Sequence, residues 1–158
     1  MAMRVRIGAG MSRRGVLAGA SGLAVVGITL TPTDGRATPA LVAEQVKKLA
    51  GGAEVKTGRV ILKMPQIAEN GNTVPLTVAV DSPMSSTDYV KSVYVFADGN
   101  PAPDVASFTF SPLSGKVEVQ TRMRMARTQN VVAIAQMSDG SFFSSQAEVK
   151  VTIGGCGG

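Results

Sequence analysis

From residue 60 to residue 153, the apolar side chains of this chain recur at every second position, and this alternation constrains the fold more than any other feature. The clearest run extends from Val117 to Met125, where positions 118, 120, 122 and 124 carry charged or amide side chains. Neighbouring residues of a β-strand point to opposite faces of the sheet. Each run therefore predicts a strand with one buried and one solvated face.

Seven such runs follow one another, and turns rich in Pro, Gly, Asn and Asp separate them at intervals of about a dozen residues. The runs cover residues 60–64, 74–80, 89–97, 108–110, 117–125, 130–137 and 142–153. These intervals leave no room for the crossover helices that parallel strands require. The pattern predicts an all-β fold, specifically an immunoglobulin-like antiparallel β-sandwich of about seven strands.

A short helix is expected before the strands. The apolar residues between Pro39 and Ala50 fall near helical spacing, and Lys47 and Lys48 occupy the expected last turn. The glycines at positions 51 and 52 predict that the helix ends there, because glycine readily adopts the left-handed conformation that closes a helix.

The first 37 residues have the layout of an export signal. Arginines at positions 13 and 14 precede an apolar run, Val16–Leu30, that contains no charged residue, and this order is typical of a secretory signal peptide. The segment Ser12–Leu17 resembles the twin-arginine export motif, although Val16 stands where Phe is usual. We predict cleavage after Ala37, with Ala40 as the second candidate. A basic arm followed by an apolar helix is the alternative interpretation.

Export by this route predicts a periplasmic protein that is not held in the membrane after cleavage. Residues 1–37 contain five of the sixteen basic residues and one of the eleven acidic residues, so removing them lowers the net charge from +5 to +1. The pI of about 9.7 is therefore a property of the leader. It does not indicate nucleic-acid binding, which needs a basic patch on the folded domain.

The chain ends in Gly154-Gly155-Cys156-Gly157-Gly158, and Cys156 is its only cysteine. Glycine gives the backbone its widest freedom, so the four glycines predict a flexible arm that carries a thiol. The sequence contains no histidine, which excludes Cys-His pairs, Ser-His-Asp triads and histidine metal sites. We divide the chain into a signal peptide (1–37), a β-sandwich domain with an N-terminal helix (38–153) and the arm (154–158).

Several stretches of the sequence resemble the SoxY family, the sulfur-carrying subunits of the periplasmic sulfur-oxidation (Sox) system. They are Val80–Met84, Asp88–Lys91, Asn100-Pro101 with Pro103, Val131–Gly140, and Val149–Ile153 leading into the glycine-cysteine tail. The resemblance covers nearly all of the chain after the leader. Its most specific part is the tail that follows a Val/Ile-rich strand.

The resemblance implies a carrier protein without catalytic residues, metal or cofactor of its own. Cys156 would be the covalent attachment point, and the glycines on both sides of it would form a swinging arm. A c-type cytochrome enzyme would join thiosulfate to Cys156 through an S–S bond. A sulfate-releasing hydrolase and a sulfane dehydrogenase would then act on the bound sulfur. The resemblance also implies a heterodimer with SoxZ, a second small β-sandwich subunit that has no leader and is exported together with its partner.

The residues themselves leave other functions open. A secreted β-sandwich assembly or adhesion module would use Cys156 for an inter-chain disulfide, and a disordered tail with an incidental cysteine is a further interpretation. A ubiquitin-like thiocarboxylate carrier agrees less well, because such carriers are smaller and cytosolic. A thiol peroxidase or oxidoreductase would need a resolving cysteine or a histidine base, and the chain has neither.

Three surface or core features also have two interpretations each. The arginines at positions 122, 124 and 127 either guide an anionic arm or an acidic partner, or simply form a solvated strand face. The segment Val93–Phe96 is apolar on both faces, which predicts either an interface with a partner subunit or a central strand. The methionines at positions 123, 125 and 137 are expected in the core rather than at a metal.

Overall fold

The computed structural model describes residues 36–155, which form a two-sheet β-sandwich with one helix against its outer face. The helix, α1, covers Pro39–Ala50, and a 3₁₀ turn covers Pro112–Ser114. The nine strands of the described residues are β1 Val55–Thr57, β2 Val60–Lys63, β3 Ile67–Asn70, β4 Val74–Val80, β5 Val90–Ala97, β6 Asp104–Thr109, β7 Val117–Met123, β8 Gln129–Met137 and β9 Phe142–Ile153. The all-β sandwich prediction is confirmed, and each of the seven predicted runs overlaps a strand.

The predicted signal peptide lies outside the described residues except for Arg36 and Ala37. Cys156 and the two glycines after it lie outside them as well. Ala37 is fully buried, and its backbone N–H donates to the Asn100 carbonyl at 2.9 Å. Within residues 36–155, no helix combines the length and the apolar character that crossing a membrane requires.

Helix α1 has the predicted bounds because both of its ends are capped. Thr38 is the N-cap, and its Oγ1 accepts a hydrogen bond from the Leu41 N–H at 3.2 Å. Gly51 adopts a left-handed conformation with φ of 59° and donates its N–H to the carbonyls of Lys47 and Lys48. A cap of this kind satisfies carbonyls that the end of a helix leaves without a partner.

The larger sheet has the strand order β1-β9-β8-β5-β6, and β3 pairs with the far end of β9. The smaller sheet has the order β2-β4-β7. The strands β1 and β3 depart from the predicted antiparallel pattern, because each runs parallel to β9, with Val55 opposite Phe142 and Ile67 opposite Lys150. They need no crossover helix, because the connection from each of them to β9 runs through the intervening strands of the sandwich. Their pairings cover one edge of β9 at its two ends.

The main core lies between the two sheets and is built from the alternate residues that the sequence predicts. Leu76 and Val78 of the smaller sheet face Val93, Val95 and the other inward residues of the larger sheet, and these four side chains are at most 1% exposed. The three core methionines are confirmed: Met123, Met125 and Met137 are all buried in this cluster.

A second apolar cluster lies on the outer face of the larger sheet, under α1. It joins Val42 and Ala50 of the helix to Phe96, Ile134 and Phe142 of the sheet. Strand β5 is therefore apolar on both faces because it is central, with the sandwich core on one side and the helix cluster on the other. The central-strand interpretation of Val93–Phe96 is the one that the structure supports.

Candidate functional site

The tail begins at one end of the sandwich, which we call the arm end. Here β9 finishes at Ile153, beside the turn between β3 and β4 and beside the loop between β7 and β8. The loop between β5 and β6 lies at the same end, because β5 runs antiparallel to β8. These three connections form the surroundings from which the chain continues toward Cys156.

Backbone hydrogen bonds tie the start of the tail to two of these connections. The Gly71 N–H donates to the Ile153 carbonyl at 2.7 Å, and the Met125 N–H donates to the Gly71 carbonyl at 2.8 Å. The Gly155 N–H in turn donates to the Met125 carbonyl at 2.8 Å. The chain through Gly155 is thus held between the β3–β4 turn and the β7–β8 loop.

Three glycines make this close approach possible. A Cβ atom at Gly71 would lie less than 3.0 Å from the Met125 carbonyl oxygen and from the Gly155 nitrogen. A Cβ at Gly154 would come equally close to the Ala126 carbonyl oxygen, and one at Gly155 would come as close to backbone atoms of Gly71. We call Gly71, Gly154 and Gly155, together with the carbonyls of Met125 and Ala126, the glycine latch.

Side-chain hydrogen bonds fix the β7–β8 loop that forms one side of the latch. Asn100 accepts from the Ala126 N–H at 3.1 Å and donates its Nδ2 to the Arg124 carbonyl at 2.9 Å. The Asn100 Oδ1 also accepts from Gln129 Nε2 at 2.8 Å. Gln129 is 4% exposed, and its Oε1 accepts from the Gly99 N–H at 2.7 Å. Asn100 and Gln129 therefore join the β5–β6 loop to the β7–β8 loop.

Three exposed arginines surround the same end. Arg124 precedes Met125 in the chain and Arg127 follows Ala126, so the two flank the latch carbonyls. Among residues 36–155, the ion pairs do not include them or Arg122. A groove of about 450 Å³ between β6 and β7 is lined by Arg122 and Arg124 together with Asp104 and Phe108. The structure is compatible with both interpretations of the arginines given above.

The opposite end of the sandwich contains two of the stretches that carry the family resemblance. There the Arg59 guanidinium binds the Asp88 carboxylate at 3.1 Å and the Asp81 carbonyl at 2.8 Å. The buried Met84 accepts from the Val90 N–H through its sulfur at 3.4 Å. Arg59 and Met84 both have positive φ angles, 54° and 50°. These residues form a closely bonded loop, so the structure gives these stretches a structural role far from the arm.

Carboxyl groups with a perturbed pKa are found away from the arm end. A hydrogen bond from Lys48 lowers the pKa of Glu44, and one from Lys116 lowers the pKa of Glu118. The hydroxyl of Ser141 lowers the pKa of Asp139 in the turn after β8. Within the described part of the chain, His, Cys, Asp and Glu side chains do not form a group of three that could hold a metal ion.

The predicted arm begins at Gly154, directly after the last residue of β9. The predicted site residues Gly154 and Gly155 lie at the arm end, while the predictions for Cys156, Gly157 and Gly158 concern residues outside 36–155. Sequence reasoning missed Gly71, which the fold brings against Gly155. The only signal for it is the segment Asn70-Gly71-Asn72, which by itself indicates a turn.

Comparison with known proteins matches the chain to a protein family and to a solved structure of that family. A family model described as "Sulfur oxidation protein SoxY" matches residues 46–156 of the chain. The solved structure of the sulfur carrier protein SoxY from Chlorobium limicola f thiosulfatophilum is 36% identical, and the match covers 71% of this chain and 96% of that one with a TM-score of 0.60. Among the curated proteins, none matches the sequence.

More distant structural similarity extends to superoxide reductases. The neelaredoxin from Ignicoccus hospitalis is 15% identical, and the match covers 74% of this chain and 95% of that one with a TM-score of 0.54. A putative superoxide reductase from Thermotoga maritima is 19% identical over 62% of this chain and 87% of that one, with a TM-score of 0.50. At this level of identity the similarity concerns the sandwich fold alone.

Proposed function

Because the chain belongs to the SoxY family of sulfur oxidation proteins, we propose that it carries sulfur intermediates covalently on Cys156 and presents them to the enzymes of thiosulfate oxidation. The observation that carries this proposal is that the family match ends on Cys156, the only thiol of the chain. The match begins inside α1, so it includes the whole sandwich that supports the tail.

The proposed loading step joins two sulfur atoms. The Cys156 thiolate and the terminal sulfur of thiosulfate form an S–S bond, and the two electrons released pass to a c-type cytochrome enzyme. Water then attacks the sulfonate sulfur of the Cys–S–S–SO₃⁻ adduct. The bond between that sulfur and the bridging sulfur breaks, sulfate and two protons leave, and a persulfide remains on Cys156. A sulfane dehydrogenase takes over the oxidation of this remaining sulfur.

The geometry of the arm end supports a carrier. The tail that carries the thiol follows directly from a rigid sheet, because β9 pairs with β8 over residues 142–149 and with β3 over residues 150–153. The residues before Cys156 are held by the latch, so the cysteine is presented from a fixed point on the domain. We assign the catalytic steps to the partner enzymes, because no histidine is available as a base in this chain.

We further propose that the protein works in the periplasm as a heterodimer with a SoxZ-like β-sandwich subunit. The twin-arginine motif at Ser12–Leu17 supports export in the folded state, and a folded partner without a leader could travel with it. N-terminal sequencing of the protein purified from periplasm tests the export route, with Thr38 expected as the first residue. Recovery of the full-length chain from the cytoplasm alone would contradict it.

The experiment that tests the carrier function is intact-mass analysis after incubation with thiosulfate and the oxidising cytochrome enzyme. The wild-type chain should gain the mass of one S₂O₃ unit, and Cys156→Ser should gain nothing. A matched control moves the thiol: Cys156→Ser combined with Ser107→Cys places it on an exposed position of β6. This control should not be loaded, because the enzyme needs the thiol on the tail.

Two results would refute the proposal. Thiosulfate consumption by the Cys156→Ser protein at the wild-type rate would show that the cysteine is not the attachment point. A stable disulfide-linked dimer, without any sulfur adduct on the single chain, would instead favour the assembly-module alternative.

A further inference from the structure

The sequence predicts that the glycines before Cys156 are flexible, but the two that the structure describes, Gly154 and Gly155, lie in close contact with the domain. Gly155 donates its N–H to Met125, and the carbonyl of Ile153 accepts from Gly71. The latch thus begins at the last residue of β9 and extends two residues into the predicted arm.

The three latch glycines are required by lack of space and not by backbone conformation. None of Gly71, Gly154 and Gly155 has a φ in the left-handed range, whereas Gly51 and Gly58 do, with nothing within 4 Å of a Cβ at either position. In the latch the obstructing atoms belong to the backbone of Met125, Ala126, Asn72 and Gly71. Backbone atoms cannot rotate away as the end of a flexible side chain can, so an added methyl group must separate the segments.

We propose that Gly71 is a positioning residue for the carrier cysteine, and that the domain presents Cys156 from Gly155 rather than from Ile153. This inference rests on the proposed function, because it concerns how the carried group reaches an enzyme. Cys156 is the first residue beyond the latch, so with the latch closed its Cα lies about 4 Å from that of Gly155. Counted from Ile153, Cys156 is the third residue, which corresponds to a reach of roughly 10 Å when fully extended.

The latch therefore separates the enzyme pockets that the tail can enter with the latch closed from those that require it to open. An enzyme pocket that needs only the one-residue reach from Gly155 to Cys156 can be entered while the latch is closed. A deeper pocket can be reached only if the Gly155–Met125 hydrogen bond opens and the glycines leave their places against Gly71 and Ala126. The lack of side chains at positions 154 and 155 lets the same segment fit both the latch and a narrow pocket.

Amide hydrogen exchange of the uniformly ¹⁵N-labelled protein tests the latch without any substitution. The Gly155 and Gly71 amides should exchange at least about fivefold more slowly than the Gly52 amide, relative to their intrinsic rates. Gly52 is suitable as the reference because its N–H has no backbone acceptor among residues 36–155. Exchange of Gly155 as fast as that of Gly52 would overturn the proposal.

Substitution of Gly71 tests the positioning role. Gly71→Ala should remove the slow exchange of Gly155 and should increase the mobility of a nitroxide attached to Cys156, the only cysteine of the chain. Gly51→Ala is the matched control: it adds the same methyl group in open space at a position with φ of +59°, so it strains the backbone without touching the latch. It should leave both signals unchanged.

Each outcome of the Gly71→Ala experiment either supports or contradicts the positioning role of Gly71. If Gly71→Ala keeps Gly155 slow to exchange, or if Gly51→Ala increases nitroxide mobility as much as Gly71→Ala does, Gly71 has no positioning role. Neither measurement involves thiosulfate or a partner enzyme, so the latch can be present even if Cys156→Ser disproves the carrier function. Normal thiosulfate loading together with rapid Gly155 exchange would refute the latch alone.

Discussion

Replacing Asn100 with alanine is expected to destabilise the protein more than is usual for the substitution of a partly exposed polar residue. The substitution removes three hydrogen bonds: those of Asn100 with the Arg124 carbonyl, the Ala126 N–H and Gln129 Nε2. Each such bond contributes about 0.5–1.5 kcal/mol net, and a buried donor left without a partner costs about 1–3 kcal/mol. The Arg124 carbonyl and the Ala126 N–H can form hydrogen bonds with water in part, whereas the side chain of Gln129 is buried.

The free energy of unfolding should therefore fall by about 2–4 kcal/mol. For a domain of this size that corresponds to a decrease in Tm of about 10 °C. Chemical denaturation followed by circular dichroism measures the change. The matched control is Gln120→Ala, since Gln120 is an exposed residue of β7 whose amide bonds only the neighbouring Glu118. The control should change the unfolding free energy by less than about 0.5 kcal/mol.

The same variant reports on the arm end, because Asn100 holds the loop that carries the latch carbonyls. Amide exchange of Gly155 should be faster in Asn100→Ala than in Gln120→Ala when both proteins are folded. If Asn100→Ala costs less than about 0.5 kcal/mol, like a surface substitution, the three hydrogen bonds do not act as a structural link and the argument for a supported loop is refuted.

Two further predictions concern the opposite end of the sandwich. Arg59→Gly should be more stable than Arg59→Ala by about 1 kcal/mol in urea unfolding, because both lose the side-chain bonds but only glycine relieves the positive φ of 54°; equal stabilities would show that this φ is not strained. Ser141→Ala should raise the pKa of Asp139 toward its ordinary value, because it removes the hydroxyl hydrogen bond that stabilises the carboxylate, while the backbone N–H of residue 141 still donates to the same oxygen. Since the folded pKa is lowered, this contribution to stability is present at neutral pH and is lost as the pH falls through the folded pKa. An NMR titration of the Asp139 carboxyl carbon that is identical in both proteins would contradict it.

Local pattern was sufficient to predict most of the fold. The runs around Leu76, Val95 and Val149 alternate in sequence and lie with one face in the core, as the period of a β-strand requires. The helix bounds follow from the cap at Thr38 and the glycine after Ala50, both of which act within four residues. Signals of this kind are short-range, so they can be recognised without knowing the rest of the structure.

The strands β1 and β3 could not be predicted in the same way. Each has only three or four residues, and each is a strand because it pairs in parallel with β9, about 80 residues later in the chain. The role of Gly71 also depends on this long-range pairing and could not be predicted for the same reason. In the sequence it stands in a turn between two asparagines, and its contact with Gly155 arises only after β3 has paired with β9. The sequence therefore identifies the thiol of the candidate site. It does not identify the part of the domain, including Gly71, that contacts the start of the tail.

Opening the latch also adds a measurable free-energy cost when the tail binds in a deep enzyme pocket. Opening the Gly155–Met125 hydrogen bond costs about 1 kcal/mol, which reduces the apparent affinity for an enzyme that needs the open form about fivefold. Gly71→Ala removes this cost, so it should increase loading or turnover up to about fivefold at low concentrations of the carrier, for an enzyme whose pocket is deeper than the reach from Gly155 to Cys156. An enzyme with a shallow pocket should gain nothing, and should lose activity if it uses the fixed position of Cys156. Measuring kcat/KM of two partner enzymes with Gly71→Ala and with the Gly51→Ala control separates these effects. A uniform change with both enzymes would mean that the latch does not distinguish between them.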